Sequence, residues 1–160
     1  VTISYLKAQI GAGVQAVQLF DTWIGALSPA LFSQLALPHL QRIFAELEGL
    51  GVPRIYYANG AAHFLDLLPQ TGADVLGLDW RTDLAQAFHL FGGRLPLQGN
   101  MDPCALLADH SAIAAEAERI LRQTPGLPHV FNLGHGVHPD TPCDHVKLLV
   151  DTIHDYHPSS

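Results

Sequence analysis

Apolar residues in this chain fall into two alternating kinds of segment, short dense runs and longer stretches spaced by three or four. Val14-Gln15-Ala16-Val17-Gln18-Leu19-Phe20 is short, apolar and partly β-branched, and it stops at the polar Asp21-Thr22, which predicts a buried strand. Ser28-Pro29 then places a capping hydroxyl before a proline, opening a stretch through Leu31, Leu35, Leu40, Ile43 and Leu47 with helical spacing. That predicts a helix, bent at Pro38 and ended by Gly49 to Gly51.

The pattern repeats. Arg54–Ala58 predicts a strand ending in Asn59-Gly60, followed by a helical stretch over His63–Leu68. Ala73–Leu78 predicts a strand ending in Asp79-Trp80, with Asp83 capping a helix over Leu84–Phe91. Arg94–Leu97 predicts a strand ending in Gln98-Gly99-Asn100, followed by a helix that starts near Ser111 and holds Glu116 and Glu118 in its first half. His129–Phe131 predicts a strand ending in Asn132-Leu133-Gly134-His135-Gly136, and a last helix runs over Pro142–Tyr156. About five strand-helix units with connections too long for hairpins require parallel strands and right-handed crossovers, hence an α/β sheet.

No G-x-G-x-x-G or Walker lysine motif follows a strand, and Gly11-Ala12-Gly13 precedes one, so it is a turn. Asp21 and Thr22, Asn59, Asp79, Gln98 and Asn100, and Asn132 and His135 all fall at carboxyl ends of strands, where a β/α barrel assembles its site from successive loops. Five units are too few to close an eight-stranded barrel of about 250 residues. The expected sheet has two open edges and needs partner strands, from a missing N-terminal part or a second copy. Residues 1–160 are therefore expected to be a single segment of a longer barrel, an expectation that agrees with a start at Val1 rather than Met.

The 160 residues are 48% hydrophobic and only 14% charged, which excludes a disordered tail and suggests surface covered by protein outside the chain. Eight Lys plus Arg against fifteen Asp plus Glu provide no basic field, so neither nucleic acid nor a membrane surface is an expected partner. No apolar run approaches bilayer length. Cys104 and Cys143 have no Cys-x-x-Cys spacing and are expected to be reduced thiols.

His135 between Gly134 and Gly136 is the strongest single candidate, since small neighbours leave an imidazole accessible to a ligand; the alternative is a cap on the following turn. His138, His145 and Cys143 do not have metal-ligand spacing, so no metal is expected. Phe20-Asp21-Thr22-Trp23 combines a carboxylate, a hydroxyl and two aromatics suited to a flat ring bearing carboxylates; otherwise the aromatics are core and the polar pair serves its own loop. Asp79 has no second carboxylate at readable distance and is expected to organise its loop. Gln98-Gly99-Asn100-Met101-Asp102-Pro103 is expected to be a tight loop fixed by its amides and Asp102.

Taken in order, Phe20-Asp21-Thr22-Trp23 with Leu27-Ser28-Pro29, Gly77-Leu78-Asp79-Trp80, Leu97–Pro103 and Phe131–Gly136 resemble the motifs of the uroporphyrinogen decarboxylase family over nearly the whole chain. The resemblance is to the C-terminal half. It implies the C-terminal part of a TIM (β/α)8 barrel, a cytoplasmic homodimer, and removal of the four acetate carboxyls of uroporphyrinogen III to give coproporphyrinogen III, with no cofactor. It also places substrate contacts at Phe20, at Thr22, where many members carry serine, and at His135. The family's central aspartate, carboxylate-binding arginines and a substrate-contacting tyrosine would lie upstream, so no catalytic residue is assigned within the chain and the segment alone is expected to be inactive. The rivals are a corrinoid-linked methyltransferase on the same barrel, which would hold zinc through His and Cys, and a non-catalytic half-barrel assembling through its open edges.

Overall fold

The computed structural model describes residues 1–124 and 126–157. Its elements are helix α1 (Thr2–Gly11), strand β1 (Val17–Asp21), helices α2 (Pro29–Leu31) and α3 (Leu37–Glu46), β2 (Arg54–Ala58), β3 (Val75–Leu78), α4 (Leu84–Leu90), β4 (Leu97–Met101), α5 (His110–Arg122), β5 (His129–Leu133) and α6 (Cys143–His154). The strand order is β1-β2-β3-β4-β5. The chain divides into two compact units, Val1–Gly77 and Leu78–Ser160.

In the first unit β1 and β2 pair in parallel from Val17 opposite Arg54 to Asp21 opposite Ala58. Helix α1 has a thin apolar side and was not expected from the sequence. Its one buried residue, Leu6, packs with Val17 and Leu47, flanked by Ile10, Val14, Ile43 and Val52. The chain leaves α1 through Gly13 at φ 96°, and the Val14 amide still donates to the Gln9 carbonyl. Strand β1 therefore starts at Val17, whose amide bonds Pro53, and not at Val14 as the pattern predicted.

The Ser28 cap forms as expected, its hydroxyl accepting from the Leu31 amide at 3.3 Å with Pro29 in the first turn. The bend expected at Pro38 is a π-helical stretch at Phe32–Ala36 just before it. Proline cannot donate to the carbonyl of Gln34 and its ring crowds that group, so the ladder widens and the Leu37 amide reaches Phe32. The amphipathic α3 then buries Leu37, Leu40 and Phe44, and Phe44 meets Tyr56 of β2 edge-on at 6.0 Å. The helical stretch expected at His63–Leu68 is a 3-10 segment, Ala62–Thr71, closed by left-handed Gly72. At the amino ends of β2 and β3, Arg54 forms a two-pronged ion pair with Asp74 at 2.8 and 2.7 Å.

In the second unit β4 and β5 pair in parallel from Leu97 opposite His129 to Met101 opposite Leu133. The core gathers Leu84, Ala87 and Phe88 of α4, Leu97 and Met101 of β4, and Ile113, Ala117 and Ile120 of α5, all buried. Asp83 and Asp109 cap α4 and α5 by accepting from the Gln86 and Ala112 amides. Glu116 and Glu118 lie from the middle of α5 onward rather than in its first half, each paired with an arginine, Arg119 and Arg122.

The largest departure from expectation is at β4. The segment read as a tight loop from Gln98 is strand through Met101, with every residue of Leu97–Met101 buried. The Asn100 side chain there turns inward to bond the backbone carbonyls of Asp79 and Thr82, and Gly99 is required because a Cβ would stand 2.7 Å from the Leu78 carbonyl. Only the last part behaves as predicted, with Asp102 accepting from the Cys104 amide at 2.9 Å. Strand β5 likewise runs to Leu133, two residues beyond the predicted end.

Candidate active site

The carboxyl end of β1 presents Phe20, Thr22 and Trp23 outward; Phe20 is 67% exposed and Trp23 82%. Neither aromatic is core among the described residues, against that part of the structural alternative for this motif. Phe20 stands 5.7 Å from Tyr57 of β2, ring centre to ring centre. The Thr22 side chain is exposed, while its carbonyl accepts from the Asn59 amide nitrogen at 2.9 Å and the Asp21 carbonyl accepts from the Asn59 backbone at 3.2 Å. Asn59 thus ties the turn after β2 to the turn after β1. The same turns approach so closely that a Cβ on Gly25 would lie 2.6 Å from the carbonyls of Asn59 and Gly60.

Asp21 does not serve its own loop through its side chain. Its half-buried carboxylate accepts from the buried Tyr56 hydroxyl at 3.1 Å. Burial pushes the Asp21 carboxyl above its ordinary range, against the opposing pull of the tyrosine hydrogen bond, and burial with the adjacent carboxylate pushes the Tyr56 phenol far up. Tyr56 was not singled out from sequence; nothing local links two residues in different strands.

In the second unit Asp79 is fully buried and accepts from the Arg81 backbone at 3.0 Å and its guanidinium at 2.9 Å. That guanidinium lies 4.0 Å above the Trp80 ring. The Asn100 amide donates to the carbonyls of Asp79, at 2.8 Å, and Thr82, at 2.5 Å. Asp79 therefore has the loop-organising position expected of it, and Asn100 shares that task from inside β4.

His135 follows β5, is exposed, and meets Trp80 edge-on at 6.2 Å. Gly134 before it donates to the Met101 carbonyl at 2.7 Å and faces the backbone of Trp80 with no room for a Cβ. The histidine is thus aimed by a glycine whose backbone is pinned. Asn132 is exposed and accepts from the Leu133 amide. At the other end of β5, His129 sits between the Gly99 carbonyl and Thr124, and burial holds its imidazole below its ordinary range.

His138 and Cys143, whose spacing to His145 gave no reason to expect a metal, do not join it in a donor group among the described residues. Among the described residues the only three-donor group is His110, Asp144 and His145, whose ligand atoms lie within 4.8 Å of one another. The 34-residue separation of its parts hid it from the spacing rules. Among the same residues no helix is long and apolar enough to cross a membrane.

The uroporphyrinogen decarboxylase (URO-D) family model matches residues 1–156. Curated relatives named uroporphyrinogen decarboxylase include those of Carboxydothermus hydrogenoformans, 45% identical with 96% of this chain and 44% of the relative covered, and Nocardia farcinica, 45% identical with 97% and 46% covered. The chain thus spans a little under half the length of these relatives. A solved methyltransferase from Methanosarcina mazei superposes with a TM-score of 0.84 at 23% identity, over 96% of this chain and 46% of that one, which shows a shared fold. The fold class is that expected from the sequence, βα units of the C-terminal part of a TIM (β/α)8 barrel. The match over nearly its whole length shows that the chain belongs to the uroporphyrinogen decarboxylase family.

Proposed function

We propose that residues 1–160 are one segment of a uroporphyrinogen decarboxylase, a cytoplasmic homodimeric carboxy-lyase that converts uroporphyrinogen III to coproporphyrinogen III. The observation that carries this reading is the family match over residues 1–156 together with 45% identity to the Carboxydothermus hydrogenoformans relative. The N-terminal portion supplies the central aspartate and the arginines, and the present segment is inactive without it.

The chemistry asks little of a cofactor. Protonation of a pyrrole carbon beside an acetate arm makes the ring an electron sink. The bond to the carboxyl then breaks, its electron pair flows into the ring, carbon dioxide leaves, a proton from the medium completes the methyl group, and the proton first added to the ring carbon departs to restore the pyrrole. The protein has to orient the arm and stabilise the cationic ring. In this segment Thr22 offers a hydroxyl donor to a peripheral carboxylate, Phe20 an apolar face to a pyrrole, and His135 a donor to a second carboxylate. The exposure of all three side chains supports these roles, because each is free to meet a ligand.

The test is conversion of uroporphyrinogen III in the full-length protein, with products separated after oxidation. The expected result is turnover by the full-length protein, none by the 160-residue segment, and recovery when the complementary segment is added. Normal substrate binding by a full-length Thr22→Val, His135→Ala double variant would refute the assigned contacts.

A further inference from the structure

Helix α5 begins at His110, and Asp144 and His145 occupy the first turn of α6. The His110 Nε2 lies 3.9 Å from the Asp144 carboxylate, and the two imidazoles meet edge-on with ring centres 5.0 Å apart. Nδ1 of the half-buried His145 bonds the Leu106 carbonyl at 2.8 Å. A carbonyl can only accept, so Nδ1 carries the proton and Nε2 keeps its lone pair, as in protein sites where a backbone carbonyl orients a metal-bound histidine. We propose that His110, Asp144 and His145 form a site for a divalent cation of the zinc, nickel or copper class, which clamps the start of α5 to the first turn of α6.

Two imidazole nitrogens and one carboxylate oxygen are the donor set such ions prefer, whereas calcium and magnesium take oxygen ligands. Three protein ligands leave a position for water. Ligands about 2.0–2.1 Å from a tetrahedral ion stand closer together than the present donors. The exposed His110 and Asp144 side chains close that gap by rotating about their own bonds, while His145 stays anchored. Two helix amino termini meet here, and their dipoles disfavour a cation. The charge of Asp144 opposes them. So does Asp109, which caps α5 and is taken up by Ser111 and the Ala112 amide, so that it adds negative charge without being a ligand. The site lies within the second unit and draws on none of Phe20, Thr22 or His135.

Titration of the full-length protein with Zn2+, followed by calorimetry, tests the site. One equivalent is expected to bind, with affinity falling at least about ten-fold in His110→Ala and in Asp144→Asn. Both substitutions are at exposed positions, so the variants should keep the metal-free thermal midpoint, while the rise in midpoint on adding Zn2+ is lost. Co2+ substituted at the site should give a visible spectrum without thiolate charge transfer. Affinity unchanged in both variants, a thiolate band, or loss of binding in Cys143→Ser but not in His110→Ala would overturn the proposal.

Discussion

The carboxyl end of β1 and the turn after β3 carry similar residues, an aspartate followed within two positions by a tryptophan, and treat them in opposite ways. Asp79 is fully buried between Arg81 and the backbone that Asn100 pins, and Trp80 lies under the same guanidinium. At β1 the aspartate is half-buried with a tyrosine hydroxyl as partner and its carboxyl is pushed up, while Phe20, Thr22 and Trp23 face outward. A polar strand end is therefore not one kind of thing. One is consumed in building the scaffold; the other is left under-compensated and available, which is where a ligand finds something to satisfy.

If that contrast is right, the largest loss of stability should come from the scaffold. Asp79→Ala leaves the Arg81 amide and part of its guanidinium without their acceptor and should cost about 3 kcal/mol, at the low end for a broken buried pair because Arg81 is half exposed. Asn100→Ala removes the donor shared by the Asp79 and Thr82 carbonyls, of which Asp79 keeps the Thr82 amide, and should cost about 1–3 kcal/mol. Urea midpoints at constant slope measure both. Losses below about 1 kcal/mol for Asp79→Ala would mean that the buried cluster is not what shapes this loop.

The sequence made the alternation of strands and helices legible because strands such as β2 and β3 are dense apolar runs, and β2 falls at Arg54–Ala58 as predicted. It failed where polarity stopped implying exposure. Gln98 and Asn100 are polar yet buried in β4, and the partners of Asn100, the carbonyls of Asp79 and Thr82, come from elsewhere in the chain, so the strand seemed to end at Leu97. Helix α1 escaped because one buried leucine makes a weak stripe. The candidate contacts Phe20, Thr22 and His135 were nameable from local context. Their neighbours were not: Tyr56 reaches Asp21 across 35 residues, and His110 meets His145 only once α5 and α6 are in place.

Two aspartates of the first unit should respond to pH with opposite sign, an effect smaller than loss of the Asp79 cluster. Arg54 holds the Asp74 carboxyl below its ordinary range, so its contribution is complete above the ordinary carboxylate pKa and is lost as pH falls through the lowered folded value. Asp74→Asn should therefore cost roughly 1–2 kcal/mol at pH 7 and nothing once the pH is below both values. Asp21 is raised by burial, so its ionised form is a liability that disappears as pH falls through the raised folded value. Asp21→Asn should stabilise the protein at pH 7 and lose that advantage near pH 3. Denaturation midpoints from pH 7 to pH 2 should show the two variants converging on the parent from opposite sides; convergence from the same side would remove the distinction between the two environments.

The smallest change in stability should come from the residues with the largest proposed role in binding. The Thr22 hydroxyl and the His135 imidazole are exposed, and the ties that shape their loops run through the Thr22 carbonyl and the Gly134 amide, both backbone groups. Thr22→Val keeps the shape of the side chain and His135→Ala removes an exposed ring, so each should move the folding free energy by less than about 0.5 kcal/mol. Weakened porphyrinogen binding at unchanged stability would mark side chains kept for a ligand. A cost near that of Asn100→Ala would instead place Thr22 and His135 with the scaffold and dissolve the contrast between the two strand ends.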